Sequence, residues 1–112
     1  MRHVVDREAT VRAYYAAMDG ERTEDALSVF DPAVRYVRHD HATFDGRNAL
    51  EAFYRTERVP GGEHLVATVV EAGDLVLVDG RYRTPAGAIL RFCDAFQFRG
   101  DHVVARITYR IG

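Results

Sequence analysis

Apolar residues in the first part of the chain recur at intervals of three and four, which is the period of an amphipathic helix. In residues 6–19 these positions are Val11, Tyr14, Tyr15 and Met18. Gly20 follows directly, and glycine is common just after the last turn of a helix. The pattern therefore predicts a first helix over residues 6–19.

Two more helices and one strand are predicted before residue 63. Thr23 is a suitable N-cap, and we expect a short second helix that buries Leu27 and Phe30 before Asp31-Pro32 ends it. Loose alternation over 34–41 predicts a first strand. After a turn at 45–46, a third helix carries its apolar side on Leu50, Phe53 and Tyr54.

The second half of the chain alternates in the two-residue period of strands. Four runs, 64–71, 75–84, 88–99 and 102–111, are separated by short segments rich in turn residues. Helices followed by an antiparallel meander predict an α+β fold, in which the helices pack on one face of a curved, mainly antiparallel sheet. We expect one domain over residues 1–112, because no linker divides the chain.

Composition narrows the class of partner. The 112 residues carry a net charge of −2 without a basic stripe, which disfavours nucleic acid. No apolar run reaches the roughly 20 residues of a membrane span, so we expect a cytoplasmic protein without a membrane partner. Every basic residue is arginine, and the absence of lysine excludes Schiff-base catalysis. A small molecule is the expected partner.

One acid stands among large apolar residues in the third of these runs. Alternation puts Asp94 on the same face as Leu90, Phe92, Phe96 and Phe98. A carboxylate there needs a strong partner, lines a cavity, or keeps its proton. A purely structural interpretation is also open, in which backbone N–H groups satisfy a buried Asp94.

The order of elements, with the segments 13–17, 27–30, 45–50 and 94–98, resembles the NTF2-like superfamily. More narrowly, it resembles the ketosteroid isomerase and SnoaL-like polyketide cyclase group. The resemblance covers nearly the whole chain and implies a cone-shaped α+β barrel. It also implies that Tyr14 and a neutral Asp94 form an oxyanion hole, each donating a hydrogen bond. Taken alone, the spacing of Tyr14 favours a core aromatic, and only its match to Asp94 in the family pattern favours a place in the site.

The proton-transferring base is less clear from the sequence. The family's base position falls on Arg38, which stays protonated and cannot accept a proton. Asp40 shares a face with Arg38 if the strand is regular, and it is one candidate base. His39 points the other way unless a bulge changes the register, and it is kept as a second candidate.

The resemblance implies an isomerase or cyclase that acts on a hydrophobic ketone or polyketide-like molecule and needs no cofactor. We expect the ligand to be held by five further residues, Tyr36, Arg38, Phe53, Phe92 and Phe96. A sheet with a pocket on its concave side and apolar residues on its convex side also predicts a homodimer.

Several alternatives remain open at this point. A binding or accessory protein would keep the pocket without the base. A limonene-type epoxide hydrolase activates water with an Asp–Arg–Asp set whose Arg and Asp are two residues apart on one strand, but Arg91 and Asp94 are three apart and face opposite sides. His39 and His41 have the spacing of metal ligands on a strand, yet no third ligand is fixed, and we expect no metal. Cys93 is expected to pack rather than react.

Overall fold

The computed structural model describes residues 6–39 and 41–111. The helices are α1 (Arg7–Asp19), α2 (Thr23–Leu27) and α3 (Arg47–Thr56). The strands are β1 (Phe30–Arg38), β2 (Thr43–Asp45), β3 (Glu63–Ala72), β4 (Leu75–Arg83), β5 (Ile89–Arg99) and β6 (His102–Ile111). Among the described residues, no helix is long and apolar enough to cross a bilayer.

The six strands form one open, curved sheet in the order β2-β1-β6-β5-β4-β3. Every pairing is antiparallel except that of β1 with β6, which is parallel. The helices pack on the inner face of this sheet and bury the apolar residues predicted for α1 and α3. The α+β class and the helix-on-sheet arrangement are therefore confirmed.

The prediction for the end of the second helix is wrong, and one short strand was missed. α2 ends at Leu27, and Phe30 begins β1 instead of completing the helix. Phe30 is fully buried because β1 pairs with β6 already at Val103, before a register shift in the next residues. The short β2, which pairs with β1 as a hairpin partner, was not predicted.

The inner faces of β5 and β6 form the floor of the space between the sheet and the helices. On β5, Phe92, Asp94, Phe96 and Phe98 are buried together, which confirms the predicted alternation. On β6, the alternation is interrupted by an irregularity opposite residues 97 and 98. Strict two-residue alternation would put Val103 and Arg106 on opposite faces of β6. Because of the irregularity, both face inward and are buried.

The space between helices and sheet is filled at one end and open at the other. At the filled end the N-terminal part of α1 is fixed by Arg7, whose guanidinium donates to Gly100 O and to the Asp74 carboxylate. Phe98 packs beneath the same guanidinium. The C-terminal end of α1 therefore lies over the open end, where the sheet and α3 leave a cavity.

Candidate functional site

The cavity has a volume of about 310 Å³, at the lower end of the range for small-molecule sites. Its floor is the inner face of β1, β4, β5 and β6, and its roof is the end of α1, α3 and the segment after α3. Four of the five predicted ligand-binding residues line it: Tyr36, Arg38, Phe53 and Phe92. The fifth, Phe96, is fully buried behind the cavity among aromatic rings, so that prediction is corrected.

Asp94 lies at the bottom of the cavity and is paired with a cation. The Nη2 of Arg106 donates to Asp94 Oδ2 at 2.8 Å, and both side chains are almost fully buried. The hydroxyl of Tyr15 donates to the same oxygen, and the hydroxyl of Thr108 donates to Oδ1. Three donors therefore surround the carboxylate.

These contacts correct the prediction that Asp94 is a neutral donor. An adjacent guanidinium and two hydroxyl donors stabilise the ionised carboxylate, and its oxygens are used as acceptors. The sequence left three options for Asp94: a strong partner, a position lining a cavity, or a retained proton. In the structure Asp94 has a strong partner and also lines the cavity. The sequence did not identify that partner, because Arg106 is 12 residues away on the next strand.

Arg106 is held between aromatic rings. Its guanidinium carbon lies 4.6 Å from the ring centre of Tyr36 and 4.8 Å from those of Tyr14 and Phe96. Burial by itself lowers the pKa of Arg106, but the electrostatic effects of Asp94 and of the phenols of Tyr14, Tyr36 and Tyr54 together outweigh it, and the pKa is raised. Its Nε has no hydrogen-bond partner among the described residues, which leaves the ring contacts to compensate its burial.

Tyr14 is joined to a second phenol at the cavity wall. The hydroxyls of Tyr14 and Tyr54 are 2.5 Å apart, and Arg106 Nη1 donates to the Tyr14 hydroxyl at 2.5 Å. Burial and the neighbouring Tyr14 raise the pKa of Tyr54 well above its ordinary value. Both phenols line the cavity, and the raised pKa keeps the Tyr54 hydroxyl protonated at neutral pH, so this hydroxyl is able to donate a hydrogen bond.

Of the two bases suggested by the sequence, the structure describes only His39, and His39 does not line this cavity. His39 is exposed on the outer side of β1, where its ring packs against Tyr109. Asp40 lies outside the described residues. His41 does line the cavity, because the chain turns after β1 and brings its ring against Phe53. No cluster of three or more potential metal-ligating side chains occurs in residues 6–39 and 41–111.

A histidine that the sequence did not point to lines the cavity instead. His64, near the start of β3, has its Nδ1 2.6 Å from Asp19 Oδ1. Its backbone N–H donates to the other oxygen of the same carboxylate at 2.8 Å. Asp19 is the last residue of α1, so the pair joins the end of that helix to the edge strand.

Aromatic rings fix the His64 imidazole from two sides. Tyr15 and Tyr82 lie 4.9 and 4.7 Å away between ring centres, and Phe92 meets it edge-on at 5.7 Å. The Tyr82 hydroxyl occupies the space where a side chain at Gly62 would stand. Inward alternation on β3 was the only sequence signal for His64, because Asp19 lies 45 residues away.

The structure places Arg91 and Cys93 on the outer face of β5, opposite to Asp94, as the alternation predicts. Arg91 donates to the Asp79 carboxylate at 3.1 Å and does not contact Asp94. Cys93 is on the same outer face and contacts Asp79 through its thiol.

Comparison with known proteins identifies the family. The sequence profile of the SnoaL-like domain family matches residues 11–107. The chain belongs to the SnoaL-like domain family. No curated protein matches this SnoaL-like chain. The resemblance predicted from the sequence is thereby confirmed at the level of the family.

Solved structures share the fold of this SnoaL-like domain. An NTF2-like protein of unknown function from Cytophaga hutchinsonii is similar with a TM-score of 0.83 and 11% identity, over 99% of this chain and 95% of that one. A protein with a ketosteroid isomerase-like fold from Catenulispora acidiphila, in complex with trimethylamine, has a TM-score of 0.77 and 22% identity, covering 89% and 83%. A candidate SnoaL-like polyketide cyclase from Jannaschia has a TM-score of 0.79 and 19% identity, over 98% of this chain and 90% of that one.

Proposed function

We propose that this SnoaL-like protein is an enzyme that transfers a proton on a hydrophobic ketone or polyketide-like molecule, as in an isomerisation or ring closure. The observation that carries the proposal is the bond between His64 Nδ1 and the Asp19 carboxylate on the cavity wall. Asp40 and His39, the bases suggested by the sequence, are replaced in this proposal by His64.

The Asp19 bond selects the working nitrogen of His64. A carboxylate at Nδ1 accepts a hydrogen bond from the N–H of that nitrogen, which leaves Nε2 with the lone pair. The same carboxylate stabilises the imidazolium once Nε2 has taken a proton. An imidazole has a pKa of roughly 6.5 in water, so it suits proton transfer near neutral pH.

The phenol pair supplies the second half of the chemistry. When Nε2 removes the proton next to a carbonyl, the C–H electron pair forms a C=C bond and the carbonyl oxygen gains negative charge. Tyr54 or Tyr14 donates a hydrogen bond to that oxygen, with the Arg106 cation directly behind Tyr14. In an isomerisation the imidazolium returns its proton to another carbon. In a cyclisation the enolate carbon forms a bond to the carbon of a second carbonyl, whose oxygen takes the π electrons and then the proton from the imidazolium.

The test follows hydrogen exchange next to the carbonyl of 2-tetralone in D₂O by proton NMR. We expect wild type to accelerate loss of the signal and His64→Gln to reduce that acceleration by about 10²- to 10⁴-fold, the usual contribution of a general base. Asp19→Asn reduces it as well, because the imidazole is no longer held in the productive tautomer.

A matched control is available in the same chain. His102 also pairs with a carboxylate, Asp101 Oδ1 at 2.9 Å, but the pair is exposed at a turn away from the cavity. His102→Gln is expected to leave exchange unchanged. Loss of exchange in His39→Gln with His64→Gln unaffected would contradict the assignment. Binding of 2-tetralone with no exchange in wild type would favour the binding-protein alternative.

A further inference from the structure

The phenols of Tyr14 and Tyr54 share one hydrogen bond, which uses one of their two hydroxyl protons. Their hydroxyl oxygens are 2.5 Å apart, and Arg106 Nη1 donates to the Tyr14 oxygen at 2.5 Å. We propose that Tyr14 donates to Tyr54 and that Tyr54 donates to the ligand oxygen, so that Tyr54 is the catalytic phenol and Tyr14 a positioning residue. This inference rests on the proposed function, because it concerns the donor to the developing oxyanion.

The partners of the Tyr14 hydroxyl determine where its proton points. A guanidinium has only donors, so the Tyr14 oxygen accepts from Arg106 and cannot donate to it. Among the described residues, the Tyr54 oxygen is the only acceptor within hydrogen-bond distance of this hydroxyl. A buried donor without an acceptor is costly. The proton of Tyr14 is therefore directed to the Tyr54 oxygen.

Aromatic rings enclose Tyr14 on its other sides. The ring centres of Tyr15, Phe30 and Phe96 lie 5.4, 5.3 and 6.0 Å from that of Tyr14. Tyr14 is 2% exposed, whereas Tyr54 is 8% exposed. Both side chains line the cavity, and Tyr54 is the more accessible of the two. A ligand oxygen therefore meets the Tyr54 hydroxyl before that of Tyr14.

The Tyr54 hydroxyl keeps its own proton for a ligand. Its bond to Tyr14 is its only hydrogen bond among the described residues, and in that bond its oxygen accepts. Burial and the neighbouring Tyr14 raise the pKa of Tyr54, so the hydroxyl stays protonated at neutral pH. This proton is available to the carbonyl oxygen that gains charge when His64 removes a proton.

The order of donors connects Arg106 to the ligand oxygen without a direct contact. Each bond in a chain of hydrogen bonds polarises the next, and the effect is larger in a low-dielectric interior. Arg106 makes Tyr14 a stronger donor, and Tyr14 in turn makes Tyr54 a stronger donor. Asp94, which the sequence predicted as a direct donor, instead fixes the Arg106 guanidinium at 2.8 Å.

The first test measures the affinity for 4-nitrophenolate, a planar ligand with a negative oxygen, by absorbance titration. Tyr54→Phe is expected to weaken binding by about 10²- to 10³-fold, the usual effect of removing one oxyanion donor. Tyr14→Phe should weaken it by about 10-fold or less, because Tyr54 keeps its proton and loses only the polarising bond behind it. Tyr109→Phe is the matched control, since Tyr109 is exposed on the outer face against His39.

A second measurement uses the wild-type chain and does not depend on the folding of any variant. Tyrosine is labelled with ¹³C at Cζ, and the resonances of Tyr14 and Tyr54 are assigned by their nuclear Overhauser contacts within α1 and α3. Binding of 4-nitrophenolate should move the Tyr54 resonance more than that of Tyr14. Binding of 4-nitroanisole, which has a similar shape but no ionisable oxygen, should move the Tyr54 resonance less than the phenolate does.

A larger movement of the Tyr14 resonance than of the Tyr54 resonance would overturn the inference. A greater loss of phenolate affinity in Tyr14→Phe than in Tyr54→Phe, with folding verified by thermal melting, would overturn it too. The outcome is separable from that of the proposed function. His64→Gln should abolish exchange of 2-tetralone yet keep the phenolate affinity, whereas exchange that survives in Tyr54→Phe would contradict only this inference.

Discussion

At the scale of single residues, the contact with the largest expected effect on stability is the ion pair between Asp94 and Arg106. Two opposite charges are buried together, with hydroxyl donors on the carboxylate and aromatic rings around the guanidinium. Removing both from water is costly, and their mutual attraction offsets that cost only while both are present. The alternation of β5 predicted a buried acid, but the identity of its partner depended on the register of β6.

The pair predicts how the protein responds to loss of one charge. Asp94→Asn should lower the free energy of unfolding by about 3–5 kcal/mol, because Arg106 would remain buried without a counter-charge. Urea unfolding followed by circular dichroism measures this change.

Two comparisons test the reason for that loss. Asp79→Asn breaks an exposed ion pair with Arg91 and should leave the urea midpoint nearly unchanged. The double variant Asp94→Leu/Arg106→Met removes both charges and should recover most of the stability. A single Asp94→Asn variant as stable as wild type would mean that Asp94 does not neutralise Arg106.

At the scale of elements, α1 connects the parts of the site. Consecutive residues of a helix point about 100° apart, so Tyr14 reaches Tyr54 and Arg106 while Tyr15 reaches Asp94 and the His64 ring. Asp19, at the end of the same helix, holds His64. The helix itself was predictable from its period, but the partners of its polar tips were not, because they lie on other elements.

A close approach of strands predicts a second stability effect. A Cβ added at Gly80 on β4 would lie 2.8 Å from the Leu65 carbonyl oxygen and 2.9 Å from the Phe92 ring. Gly80→Ala should therefore lower the free energy of unfolding by about 1–3 kcal/mol through overpacking. Differential scanning calorimetry checks it. An increase in stability, as expected where alanine fits without strain, would contradict the packing argument.

At the scale of the whole molecule, the outer face of the sheet is uncovered by helices. An apolar row crosses five strands in register, from Val37 through Ile107, Ala95 and Leu77 to Val70. Several of these side chains are exposed. The charges beside the row include both signs, as in the pair of Arg91 with Asp79, so the face is compatible with a copy of itself. We propose that a second copy covers it, as the sequence pattern predicted.

The homodimer is tested by sedimentation velocity. Ile107→Glu should shift a dimer to monomer, because a charge would be buried in the centre of the contact. Val59→Glu is the control, since Val59 is also apolar and is more exposed than Ile107, at 64% against 37%, but lies at the cavity. A monomeric wild type at tens of micromolar would contradict the proposal.

The sequence by itself determined the fold class, the three helices, the four-strand meander, the inward face of β5 and the family. These follow from local periodicity and turn residues, which act over a few positions. Only the tertiary structure decided that Arg106 neutralises Asp94, that His64 rather than His39 lines the cavity, and that Asp19 holds it. Each of those contacts joins residues on different elements, and a small shift in strand register decides which side chains meet.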